Sequence, residues 1–80
     1  MKYKAYVGII IHQGMEICSM KFVTEIQNQG RTAKWEAGKP AKAFSLAAAK
    51  DICFGLNVNG IHAAVVQIPD NFKPFINPND

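Results

Sequence analysis

Only one stretch of this chain has the makings of a helix, and that limits what the rest can do. Ala41 to Phe54 is alanine-rich and has no internal glycine or proline. Phe44, Ala48, Ile52 and Leu56 recur every fourth residue, with Ala41 and Ala49 flanking the stripe, which predicts an amphipathic helix. Gly38-Lys39-Pro40 interrupts the pattern ahead of it, proline being suited to a first helical turn. Gly55 is placed to cap the far end. A single helix covers a single face of a sheet, so any strands around it keep their other face for solvent or a partner.

The flanking segments read as strands. From Lys2 to His12, Tyr3, Ala5, Val7, Ile9 and Ile11 alternate with Lys2, Lys4, Tyr6, Gly8, Ile10 and His12, a period of two with β-branched residues. Gln13-Gly14-Met15 supplies a tight turn. Glu16 to Gln27 alternates again, with Cys18, Met20, Phe22 and Ile26 on the expected core side and Ser19, Lys21, Glu25 and Gln27 opposite. Asn28-Gln29-Gly30 is a second turn signal, and Arg31 to Ala37 a shorter third strand. Ile61 to Ile68 is a near-continuous apolar run ending at Pro69-Asp70, as expected of a covered strand. The reading is an α+β chain, β-β-β-α-β, a two-layer sandwich of one helix on a mainly antiparallel four-stranded sheet. Residues 1–70 form one domain and 71–80 an extended C-terminal tail carrying Phe72, Phe75 and Ile76.

Length and composition set the class. With 80 residues, 49% of them hydrophobic and 19% charged, the chain has enough apolar content for one small core and too much for a disordered protein. Val7 to Ile11 falls far short of the ~20 residues of a membrane span. The two cysteines, Cys18 and Cys53, form no C-x-x-C motif and too few pairs for a disulfide scaffold, so packed thiols in a cytoplasmic protein are expected.

Signals for chemistry are sparse. His12 and His62, the two histidines, are read as strand-end residues at opposite sheet edges, which gives no acid–base pair. Neither histidine has a second ligand at zinc-knuckle spacing, so no metal is expected. The six glycines never form a phosphate-cradling loop, and Ser19 and Ser45 lack a nucleophile elbow. No catalytic residue and no cofactor is assigned.

Surfaces remain. The face away from the helix is expected to show Lys2, Lys4, Tyr6, Ile10, Ile17, Ser19, Lys21, Val23, Glu25, Thr32, Lys34 and Glu36. Its apolar residues rimmed by charge have the composition of a protein interface, homodimeric or heterologous. Its basic residues, with Arg31 nearby and the Tyr6 ring for stacking, offer nucleic acid a second option. The short third strand is the expected open edge, and Phe72 and Phe75 the expected anchors in the tail. The partner-binding candidates are therefore Lys2, Lys4, Tyr6, Lys21, Arg31, Lys34, Phe72 and Phe75.

Ala37-Gly38-Lys39-Pro40-Ala41-Lys42-Ala43, leading into Leu46-Ala47-Ala48-Ala49-Lys50, resembles the strand, Gly/Pro break and alanine-rich helix of small phage and mobile-element proteins, including anti-CRISPR inhibitors. The resemblance implies a stoichiometric inhibitor that occupies a protein surface or a nucleic-acid channel and has no active site. Many such proteins are acidic mimics of DNA; this chain carries nine basic residues against six acidic. Met1-Lys2-Tyr3-Lys4 is also similar to the opening of HicB-type antitoxins, which implies a small domain that neutralises an RNA-cleaving toxin. The acidic helix of those antitoxins has no counterpart here, since Ala41 to Phe54 holds only Asp51. The function expected is that of a non-catalytic binding protein of the inhibitor type, with a small nucleic-acid-binding module as the alternative.

Overall fold

The computed structural model describes residues 2–72, 76 and 77, with Gln13, Ile17 and Cys18 described by backbone alone. The α+β class and the single helix hold, but the four-stranded sheet does not. The chain forms β1 (Tyr3–Gln13), β2 (Glu16–Phe22), β3 (Glu25–Gln27), β4 (Thr32–Lys34), α1 (Leu46–Val58) and β5 (Ala63–Pro69). A three-stranded antiparallel sheet has the order β2-β1-β5, and β3 and β4 pair separately as a small hairpin.

The break comes at Val23. Its N–H still donates to Val7 O at 2.8 Å, but its carbonyl accepts from Lys42 N, and Thr24 N already donates to Lys34 O. The long second strand of the sequence reading is thus two strands in two sheets, and the third strand shrinks to Thr32–Lys34. Between β3 and β4, Asn28, Gln29 and Gly30 all adopt positive φ (52°, 58° and 89°). Gln29 is the costly member, since an L side chain in the left-handed region is strained by roughly 1 kcal/mol.

The helix starts later than its spacing suggests because the preceding residues are needed elsewhere. Phe44 exchanges backbone hydrogen bonds with Ala5 at 2.8 and 3.3 Å, on the stretch of β1 that β2 has left uncovered. Ser45 then caps α1, its Oγ accepting from Ala48 N at 3.2 Å. Gly55 lies inside the helix, and the left-handed residue is Gly60, at φ 85°. Ile61 N donates to Leu56 O and Gly60 N to Asn57 O, the paired bonds of a Schellman ending.

The core lies between α1 and one face of the sheet. Ala5, Val7 and Ile9 of β1 meet Ala49, Cys53 and Leu56 of α1, with Val23 at the side, all 7% exposed or less. The helical stripe is therefore Ala49, Cys53 and Leu56, with Ala48 and Ile52 half-buried beside it, while Phe44 packs on the core from outside the helix. Val23, expected on the open face, is fully buried.

The tail is docked at its described positions. Ile76 bridges Pro40, and Asn77, 2% exposed, uses every polar group it has. Its side chain accepts from Phe22 N at 2.6 Å and donates to Phe22 O and Glu36 O at 2.7 and 3.0 Å. Its backbone N–H donates to Lys39 O, and its carbonyl accepts from Gly38 N. Phe75, expected as an anchor, lies outside the described residues.

Candidate functional site

The hydrogen-bond parity of β5 is fixed at both ends. Ile10 N donates to His62 O at 2.9 Å, and Asp70 N donates to Lys2 O at 2.9 Å. Since antiparallel bonding alternates, Ala64, Val66 and Ile68 point their backbone groups at β1, and Ala63, Val65 and Gln67 point theirs outward. Ala63 is already satisfied: its N–H donates to Asn57 Oδ1 at 3.2 Å and its carbonyl accepts from Asn57 Nδ2 at 3.0 Å. A side-chain amide here stands where a neighbouring strand would be. Asn77 does the same at Phe22 on the opposite edge.

Beyond Asn57 the β5 edge is open. Among the described residues no strand pairs with it, and the outward groups of Val65 and Gln67 carry no partner before Pro69 ends the strand. The third strand, expected as the edge, is not in this sheet; its edges are β2 and β5.

The sheet face away from α1 is apolar. Cross-strand partners share a face, so Tyr6, Gly8 and Ile10 stand with Phe22 and Met20 of β2 and with Ala64, Val66 and Ile68 of β5. One end is closed: Tyr6 and Ile68 are 6% and 7% exposed, and the Tyr6 and Phe22 rings meet edge to face at 6.2 Å. Toward the other end, Met20 is exposed and Ile10 half-buried. Gly8 keeps this face flat, because an added Cβ there would lie 2.5 Å from Met20 Sδ. On α1, Phe54 and Val58 lie one turn apart at 74% and 70% exposure, apolar residues that the helical reading did not single out.

The expected binding residues do not converge. Lys4 lies on the apolar face opposite Ile68, and Lys21 on the other face opposite Ile9, because Lys21 pairs with an odd-numbered residue of β1. Ser19, opposite Ile11, moves with it. Tyr6 is buried, which withdraws its ring as a stacking platform. Lys2 is exposed beside the end of β5, its carbonyl held by Asp70. Arg31 and Lys34 belong to the separate hairpin, where Lys34 pairs with Glu25 at 3.7 Å. Arg31 contributes to an open polar depression with Asn28, Gln29, Thr32 and Asn59. Phe72 is 62% exposed in the turn after β5.

Among the described residues no three His, Cys, Asp or Glu side chains gather as a metal cluster. His12 and His62, expected at opposite edges, meet instead: antiparallel neighbours bring the end of one strand to the start of the other, and the ring centroids are 5.1 Å apart. Burial pushes the Cys53 thiol above its ordinary range. The folded state then keeps its proton after the unfolded chain has released one, so stability is intact below the thiol range and falls as pH rises through it. Urea midpoints at about pH 8 and about pH 10, on either side of the free-thiol value, should diverge more for the parent chain than for Cys53→Ala.

No family model, curated protein or solved structure matches the chain. Among the described residues no helix is long and apolar enough to cross a membrane.

Proposed function

We infer that this is a non-catalytic binding protein whose partner is another protein, engaged by adding a strand to β5. The observation that carries this is the run of unpaired outward groups at Val65 and Gln67, bounded by the Asn57 amide and by Pro69. Strand addition draws affinity from main-chain hydrogen bonds and specificity from the side chains on either face. Here β5 itself offers half-buried Val66 on one face and half-buried Val65 with exposed Gln67 on the other. A phage or mobile-element inhibitor of the anti-CRISPR type, acting by occupying its target, is the form of this reading that residues 37–50 suggest. The scattering of Lys4, Lys21, Arg31 and Lys34 over different surfaces favours a protein partner over a nucleic-acid strand.

The test has two parts. Size-exclusion chromatography with light scattering, run with mixed-sequence nucleic acid at low and moderate salt, should show no complex at either. A complex that forms at low salt and dissolves at moderate salt would replace the protein partner with nucleic acid. Gln67→Pro then removes one outward N–H while leaving the bonds to β1, since proline is tolerated where a strand's N–H faces solvent. It should abolish self-association, or binding to a partner recovered with the parent chain, with the far-ultraviolet spectrum unchanged. Undiminished binding by Gln67→Pro would discard the β5 edge as the site.

A further inference from the structure

We propose that His12 and His62 form a two-imidazole site for a divalent transition-metal ion of borderline softness, such as nickel, copper or zinc. His12 stands near the end of β1 and His62 immediately before β5, and the Ile10 N–H on His62 O ties the two backbones together beside the ring contact. Their centroids are 5.1 Å apart. With metal–nitrogen bonds of about 2.05 Å, each ring centre stands about 3.2 Å from the ion, and a tetrahedral angle separates the centres by about 5.2 Å. The sheet therefore already holds the rings at the spacing that chelation needs. The observed interplanar angle is 69°, and turning either ring about its Cβ–Cγ bond re-aims a nitrogen while hardly moving its centre.

Two further observations favour a ligand. Both side chains are exposed, so an ion reaches them without opening the fold. Among the described residues neither ring makes a hydrogen bond or an ion pair, so all four ring nitrogens are uncommitted. Imidazole is a preferred donor for these metals, and among the described residues no carboxylate joins the two rings to bias the site toward calcium or magnesium. The remaining coordination positions stay open to water.

Titration of the full chain with nickel chloride, followed by calorimetry, should show one ion bound per chain. His12→Gln and His62→Gln should each weaken binding by about tenfold or more, because the second imidazole acts at a high effective concentration once the first is bound. Each substitution is on an exposed side chain, and circular dichroism should show the parent fold. A readout that needs no variant is the broadening of ring-proton resonances by sub-stoichiometric nickel, which should strike both histidines together. The site is refuted by broadening of one ring or neither, by a single variant that binds as tightly as the parent, or by no binding below millimolar nickel.

Discussion

Asn77→Ala should lower stability by about 3 kcal/mol, an unusually large effect for an exposed-looking tail, because each buried backbone group left unsatisfied costs about 1–3 kcal/mol. Three groups lose their partner: the N–H and carbonyl of Phe22 and the carbonyl of Glu36. The site is only partly buried around them, so water recovers part of the loss, which is why the expectation is not larger. Asn77→Asp should be at least as harmful. It keeps an acceptor for the Phe22 N–H but sets carboxylate oxygen against two carbonyls that need a donor. Urea denaturation reads both effects, and amide exchange at Phe22 should accelerate in step. A loss under about 0.5 kcal/mol, the range of ordinary surface substitutions, would mean that the tail is not docked as described.

Val23→Lys should unfold the protein under conditions where the parent chain is native. Val23 is fully buried between the two sheets, its N–H held by Val7 and its carbonyl by Lys42. An unpaired ammonium there belongs to the small class of changes that cost more than about 4 kcal/mol. A chain of this length has about 5–10 kcal/mol in all. Val23→Ala, which only removes two methyl groups, should cost about 2 kcal/mol and leave a cooperative transition. This pair separates two accounts of residue 23. If the residue belonged to the open face, as strand alternation alone suggests, lysine would be the milder substitution; comparable thermal melts for the two variants would restore that account.

The reading was misleading at Val23 because the wrong side of the alternation was taken as the core: Val23 continues the β2 register opposite Val7, whose face is buried against the helix. The backbone switches partners there, from Val7 on one side to Lys42 on the other. Within β1 the same reasoning served well: Ala5, Val7 and Ile9 are the buried stripe that the sequence points to. In β2 the period was right and the side was wrong. Met20 and Phe22 are greasier than Ser19 and Lys21, yet their register with Ile10 and Gly8 sets them away from the helix. A sheet that is apolar on both faces cannot be oriented from hydrophobicity alone.

The candidate site was even less visible, since its main parts are backbone groups. Nothing in the residue types of Val65 and Gln67 marks their N–H and carbonyl groups as open; that follows from strand order and parity. Asn57 and Asn77 read as polar surface residues, and only the folded backbone reveals them as substitutes for missing strands. The histidines were identifiable as strand-end residues, but placing them at opposite edges ignored that antiparallel neighbours exchange ends. Ser45 was the helix signal within reach: a serine ahead of an unbroken helical run is a stronger start than a proline six residues upstream of it.

The sheet order carries a consequence for synthesis. The strand made first, β1, is the central strand, and one of its two neighbours is β5, separated from it by the whole of the rest of the fold. On the ribosome, β1 and β2 can form a hairpin early, but a hairpin with both faces apolar and no third strand is marginal in water. The run Val7 to Ile11 then stays accessible until Ala63–Pro69 emerges. Chains dominated by such distant pairings fold on millisecond-to-second timescales rather than in microseconds. In that interval the nascent protein, not the finished one, presents its stickiest surface, and slowing translation between β2 and β5 would lengthen its exposure to chaperones and to other nascent chains.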